Sequence, residues 1–222
     1  MTPHAQALLE PRKTPVQARS TASVTAILEA TIQVLLDVGK ERLTTTRVAA
    51  RAGVSVGTLY QYFPNKSALL QAVLRRHFSQ ITDAVDAVCH EQRGKSLSQM
   101  ATALVTAFLA AKMRDVNTSL ALYSVGGDVD AAKIVRQVGM RTSNAVAEML
   151  ASSSEPLTAD PQLVASILQG TLAGVSKRML ESRSPVKEVE NFRRELIVLA
   201  SAYLNACSLG PSGKRSAAEP GR

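Results

Sequence analysis

The residues best placed to do chemistry are hydroxyl, amide and ammonium groups concentrated between positions 44 and 66. Tyr60, Tyr62 and Phe63 fall within four positions, although the whole chain has only four tyrosines and four phenylalanines. A short helix cannot bury three rings that point in different directions, so we expect Phe63 to join the core and one or both tyrosines to point outward. Outward hydroxyls beside Lys66 are suited to hydrogen bonds with phosphate oxygens. The alternative is that the tyrosines, and likewise Lys66, brace neighbouring helices.

The histidines and cysteines show no catalytic or metal-binding pattern. His77 and His90 lie on one predicted helix, about 20 Å apart along its axis, so they cannot share a metal. Cys89 and Cys207 match no redox or metal-ligand spacing and are predicted to be reduced thiols. The sequence contains no glycine-rich phosphate loop and no nucleophile elbow. We therefore predict a protein that is not an enzyme and needs no cofactor.

The charge of the chain narrows the class of partner. A formal net charge of +8 and an isoelectric point near 9.8 indicate an acidic partner, either nucleic acid or anionic lipid. No strongly amphipathic basic helix favours a membrane surface. The sequence has no apolar run of the roughly 18 residues that span a bilayer, and residues 1–20 lack the apolar stretch of a signal peptide. We predict a cytoplasmic location and no membrane partner.

Strict alternation of apolar and polar residues is scarce, which predicts an all-α protein. Residues 1–20 are rich in proline and charge and are predicted to be a flexible basic arm. A first helix is predicted from Ser23 to a C-terminal cap at Gly39. The basic residues of the arm are Arg12, Lys13 and Arg19.

Residues 44–63 predict two short helices joined by a tight corner. Thr45 and Ser55 can each cap a helix by accepting a hydrogen bond from an unpaired backbone N–H. Gly53 can take the positive φ that the corner requires, and the small Ala49 allows two helices to approach closely. This spacing of small, glycine and apolar residues is that of a helix-turn-helix.

The pattern resembles the N-terminal domain of the TetR (tetracycline repressor) family of regulators over residues 12–74, about a third of the chain. This resemblance implies a sequence-specific DNA-binding transcriptional regulator, namely a ligand-responsive repressor that binds a palindromic operator as a homodimer. The alternative is an all-helical small-molecule-binding protein or enzyme without DNA binding. The residues that carry the resemblance are Thr45, Thr46, Val48, Ala49, 52–55, 57–60, Tyr62, Phe63 and 65–70.

The resemblance also implies the domain organisation. An N-terminal three-helix helix-turn-helix domain is joined by a long linker helix to a larger helical-bundle domain for regulation and dimerisation. We place the arm at 1–20, the helix-turn-helix domain at 21–68, the effector-binding and dimerisation domain at 69–209, and a disordered tail at 210–222. Predicted helices beyond the motif are 66–90, 97–114, 115–125, 128–152, 161–182 and 185–207.

The resemblance places Val56, Gly57 and Gln61 toward the DNA groove. The residues to which it assigns phosphate contacts are Thr45, Thr58, Tyr60, Tyr62 and Lys66. Gln61 is the predicted base reader, because an amide can bond adenine N6 and N7, a contact that discriminates by about 1–3 kcal/mol; the alternative is a solvated amide. Arg47 and Arg51 either reach the backbone or are solvated. The predicted DNA-binding residues are Thr45, Thr46, Arg47, Ser55, Val56, Gly57, Thr58, Tyr60, Gln61, Tyr62 and Lys66.

The arm can also contact DNA, along phosphates or in a minor groove, although ordinary disorder is the alternative. If about five or six phosphates are neutralised, the logarithm of affinity falls with the logarithm of salt at a slope of about −5. Double-stranded DNA is thus the predicted partner.

The last two predicted helices suggest a four-helix dimer interface. Gly170 and Gly174 each cost about 1 kcal/mol relative to alanine in a helix, which close backbone approach can offset. Apolar residues in the last helix recur at three- and four-residue steps, as in helix-on-helix packing. Packing within one chain is the alternative. The predicted interface residues are Gly170, Gly174, Phe192, Leu196, Leu199 and Tyr203.

A small-molecule effector site is predicted among polar and soft residues of the central helices, although most of them can equally be core or surface. An effector would favour a dimer whose reading helices no longer match half-sites about 34 Å apart. The predicted pocket residues are Phe108, Met113, Asn117, Tyr123, Gln137, Met140, Arg141 and Asn144.

Overall fold

The computed structural model describes residues 15–125, 129–182 and 184–208. These residues form α-helices and no strand, which confirms the predicted all-α class. The chain divides into a first unit, Met1–Val73, and a second unit, Leu74–Arg222, with the division inside α4. The helices are α1 (Pro15–Arg42), α2 (Thr45–Ala52), α3 (Val56–Tyr62), α4 (Lys66–Glu91), α5 (Leu97–Met113), α6 (Val116–Val125), α7 (Val129–Ala151), α8 (Pro161–Leu180) and α9 (Pro185–Ser208).

The first helix is longer than its sequence pattern predicts. It begins at Pro15, inside the segment predicted to be a flexible arm, so residues 15–20 are helical. Proline fits this position because the first turn of a helix leaves its N–H groups unpaired. The predicted end is marked by Gly39, whose φ of 74° interrupts the helical backbone. Arg12 and Lys13 lie outside the described residues, as does the Arg19 side chain.

The core of the first unit follows the predicted apolar face of α1. Ile27, Leu28, Thr31 and Leu35 are buried at three- and four-residue spacing. Thr31 satisfies its hydroxyl by donating to the Ile27 carbonyl oxygen at 2.7 Å. This apolar face packs against α2, whose buried residues are Val48 and Ala49, and α2 in turn packs against α3, whose buried residue is Leu59.

One segment, Ser20–Arg42, is long and apolar enough to cross a membrane by length and composition, with a mean hydropathy of 1.4. It is the helix whose apolar face forms the core of the first unit, with Ile27 fully buried and Val34 nearly so. Packing within the three-helix unit therefore accounts for the part of this segment that is buried, about 33% of its apolar window.

The second unit is a bundle in which α5 packs mainly against α9 and α7 mainly against α8. The helices predicted beyond the motif agree with α4–α9 to within two residues at each end. Gly94 separates α4 from α5 with a φ of 76°, and Ser96 begins α5 with a capping box that involves Gln99. The predicted tail, 210–222, lies outside the described residues.

Candidate functional site

The corner between α2 and α3 is built by caps at both helix ends. Gly53 ends α2 with a φ of 68°, and its N–H donates to Ala49 and Ala50. Ser55 begins α3, its hydroxyl accepting from the Thr58 N–H at 2.9 Å. These two predictions are confirmed. The predicted cap at Thr45 is wrong by one residue: Thr44 begins α2 by accepting from the Arg47 N–H at 3.2 Å.

The shift of the cap by one residue releases the Thr45 hydroxyl for another contact. Thr45 Oγ1 and the Tyr60 hydroxyl lie 3.0 Å apart, within hydrogen-bond distance. Two residues predicted to contact phosphate are therefore joined to each other, and the pair links the start of α2 to the exposed side of α3. Tyr60 is 47% exposed, so its hydroxyl stays accessible to a partner while Thr45 orients it.

The exposed face of α3 carries no charge. Gly57, Tyr60 and Gln61 are exposed at the three- and four-residue spacing of a single helix face. Leu59 is fully buried on the opposite face, and Phe63 is buried, as predicted. Tyr62 and Val56 are half-buried. This face therefore presents one amide and one phenol beside a position without a side chain.

Gly57 is not required by the fold. Its φ lies outside the left-handed region, and a Cβ built there would meet only Ser55 Oγ, at 3.7 Å, which is ordinary van der Waals contact. A glycine inside a helix costs about 1 kcal/mol relative to alanine. The described residues give no structural reason for a glycine at this exposed position.

The charged groups around α2 and α3 differ in how they are held. The Lys66 ammonium donates to the Lys40 carbonyl oxygen at 2.8 Å, which ties the start of α4 to the end of α1. Arg51 pairs with Asp37 at 2.5 Å. Arg47 is exposed, and its guanidinium has no partner among the described residues. Of these three cations, Arg47 is the one best placed for an outside anion.

The second unit contains a cavity of about 840 Å³, lined by residues of α4, α5, α6, α7 and α8. Its volume lies within the range of small-molecule sites. Most of the wall is aliphatic or aromatic, and Leu104 and Phe108 of α5 belong to it. One part of the wall is polar and holds Lys112, His77 and Ser119.

Lys112 is a charged group inside this wall. Its side chain is buried, with only 5% of the residue exposed, and burial lowers the pKa of Lys112 to about 8. The ammonium lies 4.8 Å from the centre of the Tyr123 ring and 5.9 Å from that of Phe78. It makes no ion pair with a carboxylate in the described part of the chain.

His77 and Ser119 complete the polar part of the wall. His77 Nε2 lies 3.4 Å from Ser119 Oγ, which in turn donates to the Lys112 carbonyl oxygen at 3.0 Å. Burial, with the nearby charge of Lys112, lowers the pKa of His77 to about 4, against the opposing effect of Asp115. The imidazole is therefore neutral near pH 7, and Lys112 supplies the positive charge inside the wall.

The sequence prediction of the pocket identified two of its lining residues, Phe108 and Tyr123. The other predicted residues do not line the cavity. Met113 packs against the core of the second unit, Met140 is 55% exposed, and Asn117 is exposed. The remaining three make surface contacts: Gln137 with Arg75, Arg141 with Asp83 and Asp86, and Asn144 with Gln162.

Lys112 was missed because lysine is normally exposed. A signal was present in the sequence, since Lys112 is the one charged residue between positions 97 and 113 and follows Leu104 and Phe108 at four-residue steps. All three residues line the cavity. A lysine that continues the apolar face of a helix is therefore the sequence pattern that predicts a charged group in the wall of this cavity.

The residues predicted for a dimer interface separate into two groups. Leu196 is 3% exposed and packs in the core of one chain, which is the alternative that the periodicity of α9 left open. Phe192 and Tyr203 pack against the same core but keep part of their surface exposed, so they stay predicted interface residues. Leu199 is 47% exposed, on the outer side of α9 together with Val198.

The face of α8 with Leu163, Ile167, Gly170 and Gly174 is exposed, and these residues follow one another at steps of four, three and four. We call it the α8 face. A Cβ at either glycine would meet nothing within 4 Å. The close backbone approach expected at these glycines is therefore not made inside the chain. Gly170 and Gly174 also line the cavity.

The side chains usual in catalysis and metal binding are not assembled in the described ranges. No group of three or more histidine, cysteine or carboxylate side chains that could hold a metal occurs there. Both cysteines are free, and burial raises the pKa of Cys89 to about 12, which keeps its thiol protonated and unreactive at neutral pH.

Comparison with known proteins places these features in a family. Residues 27–73 match the family described as bacterial regulatory proteins, tetR family, and residues 96–204 match the tetracyclin repressor-like C-terminal domain. The HTH-type transcriptional repressor KstR of Rhodococcus jostii is 31% identical over 174 residues, which cover 78% of this chain and 79% of that protein. The chain belongs to the TetR family.

Other TetR-family relatives agree at the level of sequence and of fold. The HTH-type transcriptional regulator BetI of Klebsiella pneumoniae is 38% identical over 79 residues, 36% of this chain and 40% of that protein. A TetR-family regulator of Mesorhizobium loti has the same fold, with a TM-score of 0.72 at 21% identity over 85% of this chain and 98% of that one. The fatty acid degradation regulator FadR of Bacillus halodurans gives a TM-score of 0.61 at 19% identity over 78% and 97%.

Membership of the TetR family fixes the general activity. Its members are non-enzymatic DNA-binding repressors, and this chain is accordingly a DNA-binding transcriptional regulator rather than an enzyme. The helix-turn-helix predicted from the sequence is the DNA-binding part of that family.

Proposed function

We propose that the protein is a cytoplasmic, ligand-responsive repressor that binds a palindromic operator as a homodimer. The observation that carries the DNA-reading part is the uncharged, exposed face of α3, formed by Gly57, Tyr60 and Gln61 behind a capped corner. The Gln61 amide reads base edges, and the missing side chain at Gly57 lets the backbone of α3 approach the groove. Tyr60 contacts phosphate, oriented by Thr45.

Other motif residues take two kinds of role in this proposal. Thr46 and Arg47 are exposed at the start of α2 and contact the DNA backbone. Lys66, Ser55 and Thr58 chiefly hold the helices in place through the hydrogen bonds that they make within the chain. Half-buried Tyr62 and Val56 position α3 against its neighbours while their edges face the DNA.

The DNA-reading role is tested by selection of binding sites from a random double-stranded pool. We expect an inverted repeat whose half-sites lie one helical turn, about 34 Å, apart. Gln61→Ala should relax the base preference at one position of each half-site and weaken binding by about 5- to 150-fold, the equivalent of about 1–3 kcal/mol.

Gln80→Ala is the matched control, because Gln80 is an exposed glutamine of α4 in the second unit. It should leave both the selected sequence and the affinity unchanged. Selection that returns no preferred sequence, or a Gln61→Ala variant with the preference of the parent, would contradict the proposed reading surface.

The proposed homodimer rests on the α8 face. Leu163 and Ile167 are 57% and 44% exposed, and the two glycines beside them leave room for a partner helix at short distance. A two-fold dimer would bury these residues and present two reading helices to two half-sites. Exposed Leu199 and Val198 of α9 extend the apolar surface available for association.

Sedimentation equilibrium tests this surface. Ile167→Asp should convert the dimer to a monomer that keeps its helical circular dichroism, because the exposed side chain does not support the core of one chain. Met140→Asp is the control, since Met140 is also exposed but lies on α7. A dimer that survives Ile167→Asp unchanged would contradict this assignment.

Ligand response is supported by the position of the cavity in the chain. Its wall includes Leu74, His77 and Phe78, which belong to α4, the helix that begins at Lys66 beside the reading motif. A ligand that favours one placement of α4 changes the match between the reading helices and the half-sites. A coupling of about 1–3 kcal/mol is enough for such a switch.

A further inference from the structure

We propose that the effector is an apolar monocarboxylic acid whose carboxylate pairs with Lys112 and whose hydrocarbon part fills the aliphatic wall of the cavity. This inference deepens the proposed function and rests on its ligand-binding cavity. It identifies the chemical class of the ligand and the residue that selects it.

The first argument is that the chain compensates the buried positive charge of Lys112 only in part. A buried ammonium costs several kcal/mol unless it is paired. Its neighbours here are two aromatic rings, Tyr123 at 4.8 Å and Phe78 at 5.9 Å, and such contacts return only part of the cost. With no carboxylate of the described residues in ion-pair distance, an anion from outside the chain is the partner that the ammonium lacks.

The second argument limits the ligand to a single negative charge. His77, the other titratable group of the polar wall, is neutral near pH 7 because burial lowers its pKa to about 4. Lys177 also lines the cavity, 5.9 Å from the Tyr123 ring, but its side chain is more than half exposed and lies 3.9 Å from the carboxylate of Glu181. A dianionic phosphate would leave one charge uncompensated among apolar side chains, whereas a carboxylate matches Lys112 alone.

The third argument concerns the remainder of the wall. Away from Lys112, α5 contributes Leu104 and Phe108, and α4 contributes Ile81 and Val85. Among other polar lining groups, Thr82 and Thr142 lie 3.4 Å apart, and Gln169 donates to the Gly139 carbonyl oxygen at 2.9 Å. Because these groups already have hydrogen-bond partners within the chain, they do not need a polar ligand. The wall therefore suits a hydrocarbon body.

Isothermal titration calorimetry tests the proposal, since the chain has no tryptophan to report binding by fluorescence. The probes are octanoate, dodecanoate and hexadecanoate, each compared with the alcohol of equal length, below their aggregation concentrations. We expect at least one carboxylate to bind, at least tenfold more tightly than its alcohol. Failure of every carboxylate to bind, or equal binding of acid and alcohol, would overturn the proposal.

Lys112→Met is the decisive variant, because methionine keeps much of the volume and removes the charge. It should lose the carboxylate preference by at least tenfold while it binds the alcohol as well as the parent does. Its melting temperature should be at least as high as that of the parent, which shows that it folds. Lys95→Met, at an exposed position between α4 and α5, is the matched control and should behave as the parent.

The same preparations separate this proposal from the proposed function. Carboxylate binding through Lys112 that leaves DNA affinity unchanged would support the ligand assignment and contradict ligand-responsive repression. Release of DNA by acid and alcohol alike would support ligand response and overturn the carboxylate assignment. Carboxylate binding that Lys112→Met leaves intact would overturn the role of Lys112.

Discussion

The exposed surface of α2 and α3 and the cavity of the second unit are both suited to anions, but by different physical means. The first surface is exposed and built from neutral groups, Tyr60 and Gln61, with Arg47 as an exposed cation. The cavity is concave and apolar, with the buried ammonium of Lys112. If both proposals hold, DNA is held by many weak, solvated contacts, whereas a small monoanion is held by one contact out of water.

The two regions also differ in the kind of stability cost that each one carries. On the proposed reading surface, Gly57 costs up to about 1 kcal/mol of helix stability, and we propose that its missing side chain lets DNA approach. The cavity gives up stability by keeping a charged group in an apolar wall. In both places the sequence departs from what folding alone favours, as expected where function opposes stability.

The largest expected difference is in salt dependence. A fourfold rise in salt should weaken DNA binding by about 1000-fold, given a slope of about −5 for five or six neutralised phosphates. Carboxylate binding in the cavity should change by less than about threefold, because a buried pair is little screened. Anisotropy for DNA and calorimetry for the carboxylate measure the two slopes. Equal salt dependence of DNA binding and carboxylate binding would contradict the proposed difference between the two regions.

The next effect concerns the stability cost of Lys112. Burial lowers the pKa of Lys112 from 10.5 to about 8 in the folded chain, so between these values the unfolded chain binds more protons and stability rises with pH. At pH 7 the full cost, about 3 kcal/mol, acts against folding. Lys112→Met should therefore raise the free energy of unfolding by about 2–3 kcal/mol at pH 7 without ligand.

Urea unfolding at pH 7, 8, 9 and 10 measures this effect. The parent should gain stability above pH 8, and Lys112→Met should lack that gain. The exposed Lys95→Met should shift the free energy of unfolding by less than about 0.5 kcal/mol. A Lys112→Met variant less stable than the parent at pH 7 would show that the ammonium is already compensated within the chain.

Gly57→Ala should move stability and DNA affinity in opposite directions. The added methyl group meets only Ser55 Oγ at 3.7 Å, so the free energy of unfolding should rise by up to about 1 kcal/mol. DNA affinity should fall, because the methyl group lies on the face of α3 that approaches the groove. Thermal unfolding and anisotropy test the two effects. Unchanged DNA affinity would place Gly57 outside the interface.

The smallest expected effect is the coupling of Thr45 and Tyr60. A double-mutant cycle with Thr45→Val and Tyr60→Phe should give a coupling of about 0.5–1 kcal/mol in DNA binding, since one hydrogen bond orients the phenol. The free energy of unfolding should show a smaller coupling, because both groups reach solvent. Strictly additive losses of DNA affinity would mean that the two hydroxyls act independently.

The first unit was predictable because its determinants are local in sequence. Ser55 and Gly53 act within a few residues of themselves, so their cap and corner could be identified from types and spacing. The error at Thr44 and Thr45 has a local cause too, since two adjacent threonines offer the same hydroxyl and only the backbone geometry selects one. The early start of α1 at Pro15 was not predicted, because the prolines and charged residues of positions 1–20 indicated a flexible arm.

The cavity was largely unpredictable because its wall is assembled from five helices. Polar character suggested Asn117, Gln137 and Asn144, but their side chains face solvent or surface partners. Periodicity alone could not tell whether Leu196 packs against its own chain or a second copy, and the bundle buries it in its own chain. Such choices depend on tertiary packing, which the spacing along one helix does not encode.

The most direct test of coupling between the two regions is anisotropy of a labelled, selected DNA site with a carboxylate added. The account predicts that dodecanoate releases DNA from the parent, that dodecan-1-ol does so at least tenfold less effectively, and that Lys112→Met binds the same DNA but is not released. Equal release of the parent and of Lys112→Met by dodecanoate would contradict the account, as would DNA binding by the parent that neither probe affects.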